Sequence, residues 1–159
     1  MKKIYERIPV WLVYTVIFAL VVCCSFGSLR LLGQTTIWKM DGISQHYPIL
    51  EQFYRILRGT DHQSLFGWSW NLGLGADQMT TFAYYVVGDP FSYLIALFPA
   101  DQIQLGYQLL TFVRLYAVGL AFLVFAKQMK LKRSGSLIAT LIYTFTSFSF
   151  YVSFHHPFF

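Results

Sequence analysis

Two apolar runs, residues 8–29 and 103–126, constrain this chain more than any other feature of its sequence. About 20 apolar residues, at about 1.5 Å of helical rise each, cover a hydrocarbon core of about 30 Å. In lipid no water satisfies the backbone, so such a run must be a helix. A third run, 135–154, follows the second. The expected fold is therefore all-α: a polytopic membrane protein with about three transmembrane helices. Only 12% of the residues are charged while 56% are hydrophobic, against about a quarter charged in soluble domains. The net charge of +5 therefore reads as membrane topology, with membrane lipid and no nucleic acid as partner. The rival reading of the first run is a signal peptide, with Ser25-Phe26-Gly27 as a small-x-small site, but the run exceeds the usual apolar core of about 7–15 residues. Cys23 and Cys24 sit side by side within that run, where they read as small buried thiols and build no disulfide framework.

The basic residues set the expected orientation. Lys2, Lys3 and Arg7 precede the first run, and Lys127, Lys130, Lys132 and Arg133 follow the second. The positive-inside rule puts both groups in the cytoplasm and residues 30–102 outside. The expected layout is a first span at 8–29, an extracytoplasmic loop at 30–102, a second span at 103–126, a cytoplasmic loop at 127–134 and a third span at 135–154.

The loop holds six of the seven acidic residues. Within it, Ile43, Tyr47, Leu50, Tyr54 and Leu57 recur at steps of four and three, one face of an interfacial helix over 43–58, with Gly59 as its stop. Glu51, Arg55 and Arg58 then face water or headgroups. Residues 91–98 are apolar but too short to cross, so they read as a second interfacial helix, capped by Asp89-Pro90. Trp68, Trp70, Tyr84 and Tyr85 alternate with Gly73, Gly75 and Gly88, a mixture suited to turns and interfacial anchoring. No strand pattern stands out.

Several residues are candidates for chemistry, each with a plainer role beside it. Asp41 stands just beyond the first span, and Asp-Gly is also a common turn dipeptide whose carboxylate bonds local backbone. Asp77 and Asp89 read as a loop turn and a helix cap. Arg114 lies about 16 Å into the second span, near the bilayer midplane. A charge there costs at least about 2.5–3.5 kcal/mol, so it must meet a bundle interior or a cavity, either as a structural ion pair or as a cation facing a lipid-linked phosphate. Tyr107 and Thr111 share its face. Ser136, Thr140, Tyr143, Ser147 and Tyr151 form a hydroxyl stripe on the third run, as interhelical glue or as a substrate path. His155 and His156 diverge by about 100° on a helix, which suits interfacial residues better than a metal pair.

The run Asp41-Gly42-Ile43-Ser44-Gln45-His46-Tyr47-Pro48, the later Trp70-Asn71-Leu72-Gly73-Leu74-Gly75-Ala76-Asp77, then Tyr84-Tyr85 and Gly88-Asp89-Pro90-Phe91, resembles the amino-terminal part of the YfhO family of bacterial membrane proteins. That family is similar to the GT-C class of glycosyltransferases, whose first extracytoplasmic loop carries an acidic catalytic residue. The resemblance implies transfer of a sugar from a polyprenyl-phosphate donor to a surface polymer acceptor such as teichoic acid, at the bacterial cell membrane. It puts Asp41 in the catalytic position and offers Arg114, Arg55, Arg58, Gln45, His46, Asp77 and Asp89 as substrate-binding residues. Some GT-C enzymes use a divalent metal and others do not, and no ligand cluster in this sequence decides the cofactor. Family members are several times longer, so the chain reads as an amino-terminal fragment whose activity needs the rest. The alternative is a non-enzymatic lipid carrier flippase, a transporter or a structural membrane subunit, in which Asp41 only shapes a turn.

Overall fold

The computed structural model describes residues 8–149. The expected basic residues Lys2, Lys3 and Arg7 lie outside the described residues, as do Tyr151, His155, His156 and the outer end of the third run. The described chain is mostly helical. Helix α1 is Val10–Leu31, α2 Tyr47–Leu57, α3 Gln78–Phe82, α4 Ile103–Gln128 and α5 Arg133–Thr144. Among the described residues two helical segments are long and apolar enough to cross a membrane, α1 and the 29-residue stretch Ala100–Gln128 that contains α4. Helix α5 has 12 residues, about 18 Å. The backbone breaks at Phe145 and Thr146 before residues 147–149 turn helically again.

The described residues divide into two compact units, residues 8–36 with 112–149 and residues 37–111. In the first, the helical unit, Tyr14 is the central side chain. Its ring stacks on Tyr116 with centroids 5.5 Å apart, and its hydroxyl donates to the Tyr116 carbonyl at 3.2 Å. A Cβ on Gly119 would lie 2.0 Å from that hydroxyl and 2.6 Å from Thr144 Oγ1. The missing side chain at 119 is therefore what lets α1, α4 and α5 meet, as small residues do between membrane helices. Phe18 and Phe145 stack alongside, with centroids 5.7 Å apart.

Helix α1 buries only Tyr14, Phe18 and Phe26. Cys23 and Cys24 are consequently exposed on its outer surface, not buried as expected. Their helix packs along one narrow stripe, and these positions fall outside it. The hydroxyl stripe of the third run also differs from expectation. Ser136, Thr140 and Thr144 are buried, while Tyr143 is 49% exposed and Ser147 is exposed. Steps of four hold the stripe on one face of α5 to Thr144. Thr146 then accepts from the Ser149 amide at 3.2 Å, a side-chain cap that restarts the helix in a new phase.

The second, loop unit has a core built around Leu50, Phe53, Phe82, Val86, Ile95 and Leu110. Helix α2 buries Leu50, Phe53 and Tyr54, so its apolar face is covered by protein. Arg58 caps its end, and Gly59 follows at φ 64° with the Thr60 amide bonded to the Arg55 carbonyl, the left-handed stop expected of that glycine. Ile43, expected on the apolar face, is 50% exposed. The reason is a π-helical turn over Gly42–His46, which is wider than an α turn, rotates Ile43 outward and brings Gly42 and His46 inward. Residues 92–97 form a 3₁₀ turn that buries Ser92 and Ile95. Between α2 and α3 the chain makes a small antiparallel ladder that no sequence pattern announced. Strand β1, Trp68–Ser69, pairs with β2, Ala76–Asp77, in the register Trp68 to Asp77 and Ser69 to Ala76. Gly75, at φ 106°, lies so close to Trp68 and Trp70 that a Cβ would stand 2.9 and 2.8 Å from their rings.

Candidate functional site

Asp41 sits at the entrance of the first π turn, already in helical backbone conformation, and makes no capping bond to backbone. Its Oδ1 accepts from Gln45 Nε2 at 3.0 Å. Gln45 Oε1 in turn accepts from the Tyr85 hydroxyl at 2.7 Å. The three groups form a directional chain, phenol to amide to carboxylate. Because the amide nitrogen must donate to Asp41, the chain requires an acceptor oxygen there. Oδ2 accepts no hydrogen bond among the described residues, which leaves one oxygen of a held carboxylate able to take a proton.

Two π turns place this chain. Gln45 and His46 come from Gly42–His46, and Tyr85 from a second π turn, Ala83–Val87, that extends α3. Such turns are rare, and they gather at functional sites because they re-aim side chains within a helix. Gly42 makes the first one fit: a Cβ there would lie 3.0 Å from Trp38 Cβ and 3.4 Å from Ile37 Cγ2. His46 is buried and meets the Tyr85 ring edge-on at 5.3 Å, and Tyr84 packs on Tyr85 at 4.8 Å. Burial first, then the neighbouring Tyr84 and the Asp41 carboxylate, push the Tyr85 hydroxyl above its ordinary value. Tyr85 therefore remains a proton donor to Gln45 at and above neutral pH.

The other two candidate aspartates are spent differently. Asp77 caps α3: its Oδ2 accepts from the Thr80 amide and from the Thr80 hydroxyl, each at 2.8 Å. Those two bonds hold its carboxyl below the usual range. Asp89 accepts from the Phe91 amide at 3.0 Å and the Ser92 hydroxyl at 2.6 Å, closing the 3₁₀ turn that follows. Gln78 is fully buried and donates to Gln63 at 3.0 Å and to the Ser64 carbonyl at 3.2 Å. It pins the strand-bearing loop under α3.

Residues 13–158 match the family described as bacterial membrane protein YfhO. The chain belongs to the YfhO family. No curated protein and no solved structure matches it. Family membership and two apolar helices together make it a membrane protein.

In this YfhO member the candidate site residues separate into groups. Asp41, Gln45 and His46 stand together with Tyr85. Arg55 pairs with Glu51 at 2.5 Å, and Arg58 is exposed at the end of α2. Both arginines stand at least 14 residues along the helix from Asp41, about 20 Å, too far to meet the same reacting group. Arg114 belongs to the helical unit, on α4, and is 1% exposed. Among the described residues no three His, Cys, Asp or Glu side chains gather where they could hold a metal ion. Tyr85 is the participant that sequence reasoning did not assign to Asp41. It lies 40 positions from Gln45, and only the packing of α3 against α2 brings them together.

Proposed function

We propose that this YfhO protein is a membrane glycosyltransferase, one that moves a sugar from a polyprenyl-phosphate donor to an extracytoplasmic acceptor such as teichoic acid. The observation that supports this reading is the Asp41 carboxylate. It makes no bond to backbone, unlike Asp77 and Asp89, and is oriented by Gln45 and Tyr85 with one oxygen left over. In the proposed step the acceptor hydroxyl oxygen attacks the anomeric carbon while the bond from that carbon to phosphate oxygen breaks. The hydroxyl proton passes to Asp41, and the electron pair leaves with the polyprenyl phosphate. A cation is needed beside the departing phosphate. Arg55 is paired with Glu51 and Arg58 stands about 20 Å along the helix from Asp41, so neither supplies it.

The test is the glycosyl content of teichoic acids from cells deleted for the locus and complemented with wild type, Asp41→Asn or Asp77→Asn at matched abundance. A general base contributes about 10²–10⁴-fold, so Asp41→Asn should lose at least about 100-fold in sugar transfer while Asp77→Asn keeps most of it. Full restoration by Asp41→Asn removes the enzyme reading and leaves a lipid carrier flippase, a transporter or a structural subunit.

A further inference from the structure

The loop unit carries an apolar hairpin face that its own core leaves uncovered. Strands β1 and β2 join through residues 70–75, where Leu74 is 98% exposed, and Phe66, Trp68 and Trp70 are each more than half exposed. Alternation along β1 accounts for the tryptophans: Ser69 points inward and is buried, so Trp68 and Trp70 share the outer face. Their rings meet edge-on, with centroids 5.8 Å apart and 70° between the planes. Gly75 backs both rings, since any side chain there would strike them. The base is braced as well, because the backbone amide of the buried Gln78 donates to the Gly67 carbonyl at 3.0 Å. The tip is therefore held out on a fixed stem.

Charge and chain continuity identify what the tip meets. Residues 62–76 contain no Asp, Glu, Lys or Arg, whereas residues 37–61 contain six. A partner held by ion pairs has nothing to pair with here. Neither the Trp68 nor the Trp70 indole N–H donates a hydrogen bond among the described residues, which leaves two donors on an otherwise hydrocarbon surface. Aromatic rings with a polar edge, beside aliphatic side chains, are what settles at the boundary between headgroups and acyl chains. A saccharide stacked flat on one ring would leave Leu74 in water and would find the two rings crossed. The unit is also tethered to the bilayer. Ile103, Tyr107 and Leu110 belong to its core, and they are the first turns of α4, inside the stretch Ala100–Gln128 that is long and apolar enough to cross a membrane.

We propose that this hairpin is a lipid-contact element: Trp70 and Leu74 enter the headgroup boundary of the bilayer that holds α4, Trp68 and Phe66 flank them, and uncharged or zwitterionic lipid is a sufficient partner. The loop unit is then held at the membrane by two points, the start of α4 and the hairpin tip. The contact involves no residue of the Asp41 chain and does not depend on the glycosyltransferase reading.

The test uses the full chain with Cys23→Ser and Cys24→Ser, labelled through Asn71→Cys with an environment-sensitive fluorophore. It is reconstituted into vesicles of phosphatidylcholine alone and of equal parts phosphatidylcholine and phosphatidylglycerol. Asn71 is exposed and polar, so the label replaces none of the apolar anchors. Nitroxides on the shallow part of the lipid acyl chain should quench the label equally in both vesicle types, and aqueous iodide should leave it bright in phosphatidylcholine. Trp70→Ser with Leu74→Ser should reverse the pattern to iodide quenching alone, while an unchanged unfolding temperature in detergent shows that the core is intact. Iodide quenching of the parent protein places the tip in water and overturns the proposal. Shielding from both quenchers overturns it too, by showing that protein covers the tip. Nitroxide quenching that survives Trp70→Ser with Leu74→Ser belongs to the label, and quenching confined to vesicles with phosphatidylglycerol belongs to charge elsewhere on the unit; each rejects the proposal. A water-exposed tip that a soluble glucose oligosaccharide then shields from iodide assigns the face to sugar instead.

Discussion

At the scale of single residues, three aspartates of one loop unit are separated by what donates to them. Asp77 and Asp89 receive backbone amides and so cap the starts of the turns that follow them, whereas Asp41 receives only a side-chain amide. Tyr85→Phe tests the chain behind Asp41. It removes the hydroxyl that holds Gln45, should cost about 0.5–1.5 kcal/mol of stability, and should slow sugar transfer less than Asp41→Asn does. Thermal unfolding in detergent, beside the teichoic acid assay, measures both. The pH dependence has a definite sign. The folded Tyr85 hydroxyl titrates above its ordinary value of 10.0, so its contribution is complete below that pH and is lost as pH rises through the raised value. Asp77 runs the other way. Its carboxyl is held below the ordinary 3.8, so the cap is intact above that pH and is lost as the solution is acidified through the lowered value. Limited proteolysis of residues 59–77 should therefore accelerate in acid, and Asp77→Ala should abolish that acceleration by making the loop susceptible at every pH.

At the scale of elements, three helices end in the same left-handed motif with different residues in the critical place. Helices α1 and α2 use Gly33 at φ 69° and Gly59 at φ 64°, while α4 uses Lys130 at φ 55°. In each, the next amide reaches back five residues: Gln34 to Leu29, Thr60 to Arg55 and Leu131 to Ala126. A side chain in this conformation costs about 1–2 kcal/mol. Lys130→Gly should therefore raise stability by about 1 kcal/mol, read as a higher unfolding temperature. Glycine at 59 was legible as a stop because its neighbours were visibly helical. The π turn at Gly42–His46 was not legible, since Ile43, Tyr47, Leu50, Tyr54 and Leu57 fit an unbroken α-helix equally well. Contact of Gly42 with Trp38 and Ile37 favours the wider turn, and those contacts are not encoded in periodicity.

At the scale of the whole molecule, the described residues of this YfhO chain include two helices of membrane length and a polar, aromatic unit over residues 37–111. The positive-inside rule expects residues 30–102 outside the cell and residues 127–134 inside. In a Cys23→Ser, Cys24→Ser background, Ser64→Cys should react with an impermeant maleimide on intact cells, and Ser134→Cys should react only after permeabilisation. The reverse pattern would turn the molecule over. The amino-acid sequence by itself determined that the chain is helical and membrane-bound, because apolar length and the backbone's need for hydrogen bonds act within a segment. It also marked Gly59 and the cap at Asp89, which are local contests between neighbouring residues. Only the tertiary structure decided that Tyr85 reaches Gln45, that His46 turns inward, that Cys23 and Cys24 turn outward, and that Gly119 is where Tyr14 and Thr144 meet. Each of those depends on which face of one element another element covers, and a one-dimensional pattern records the faces without naming what covers them.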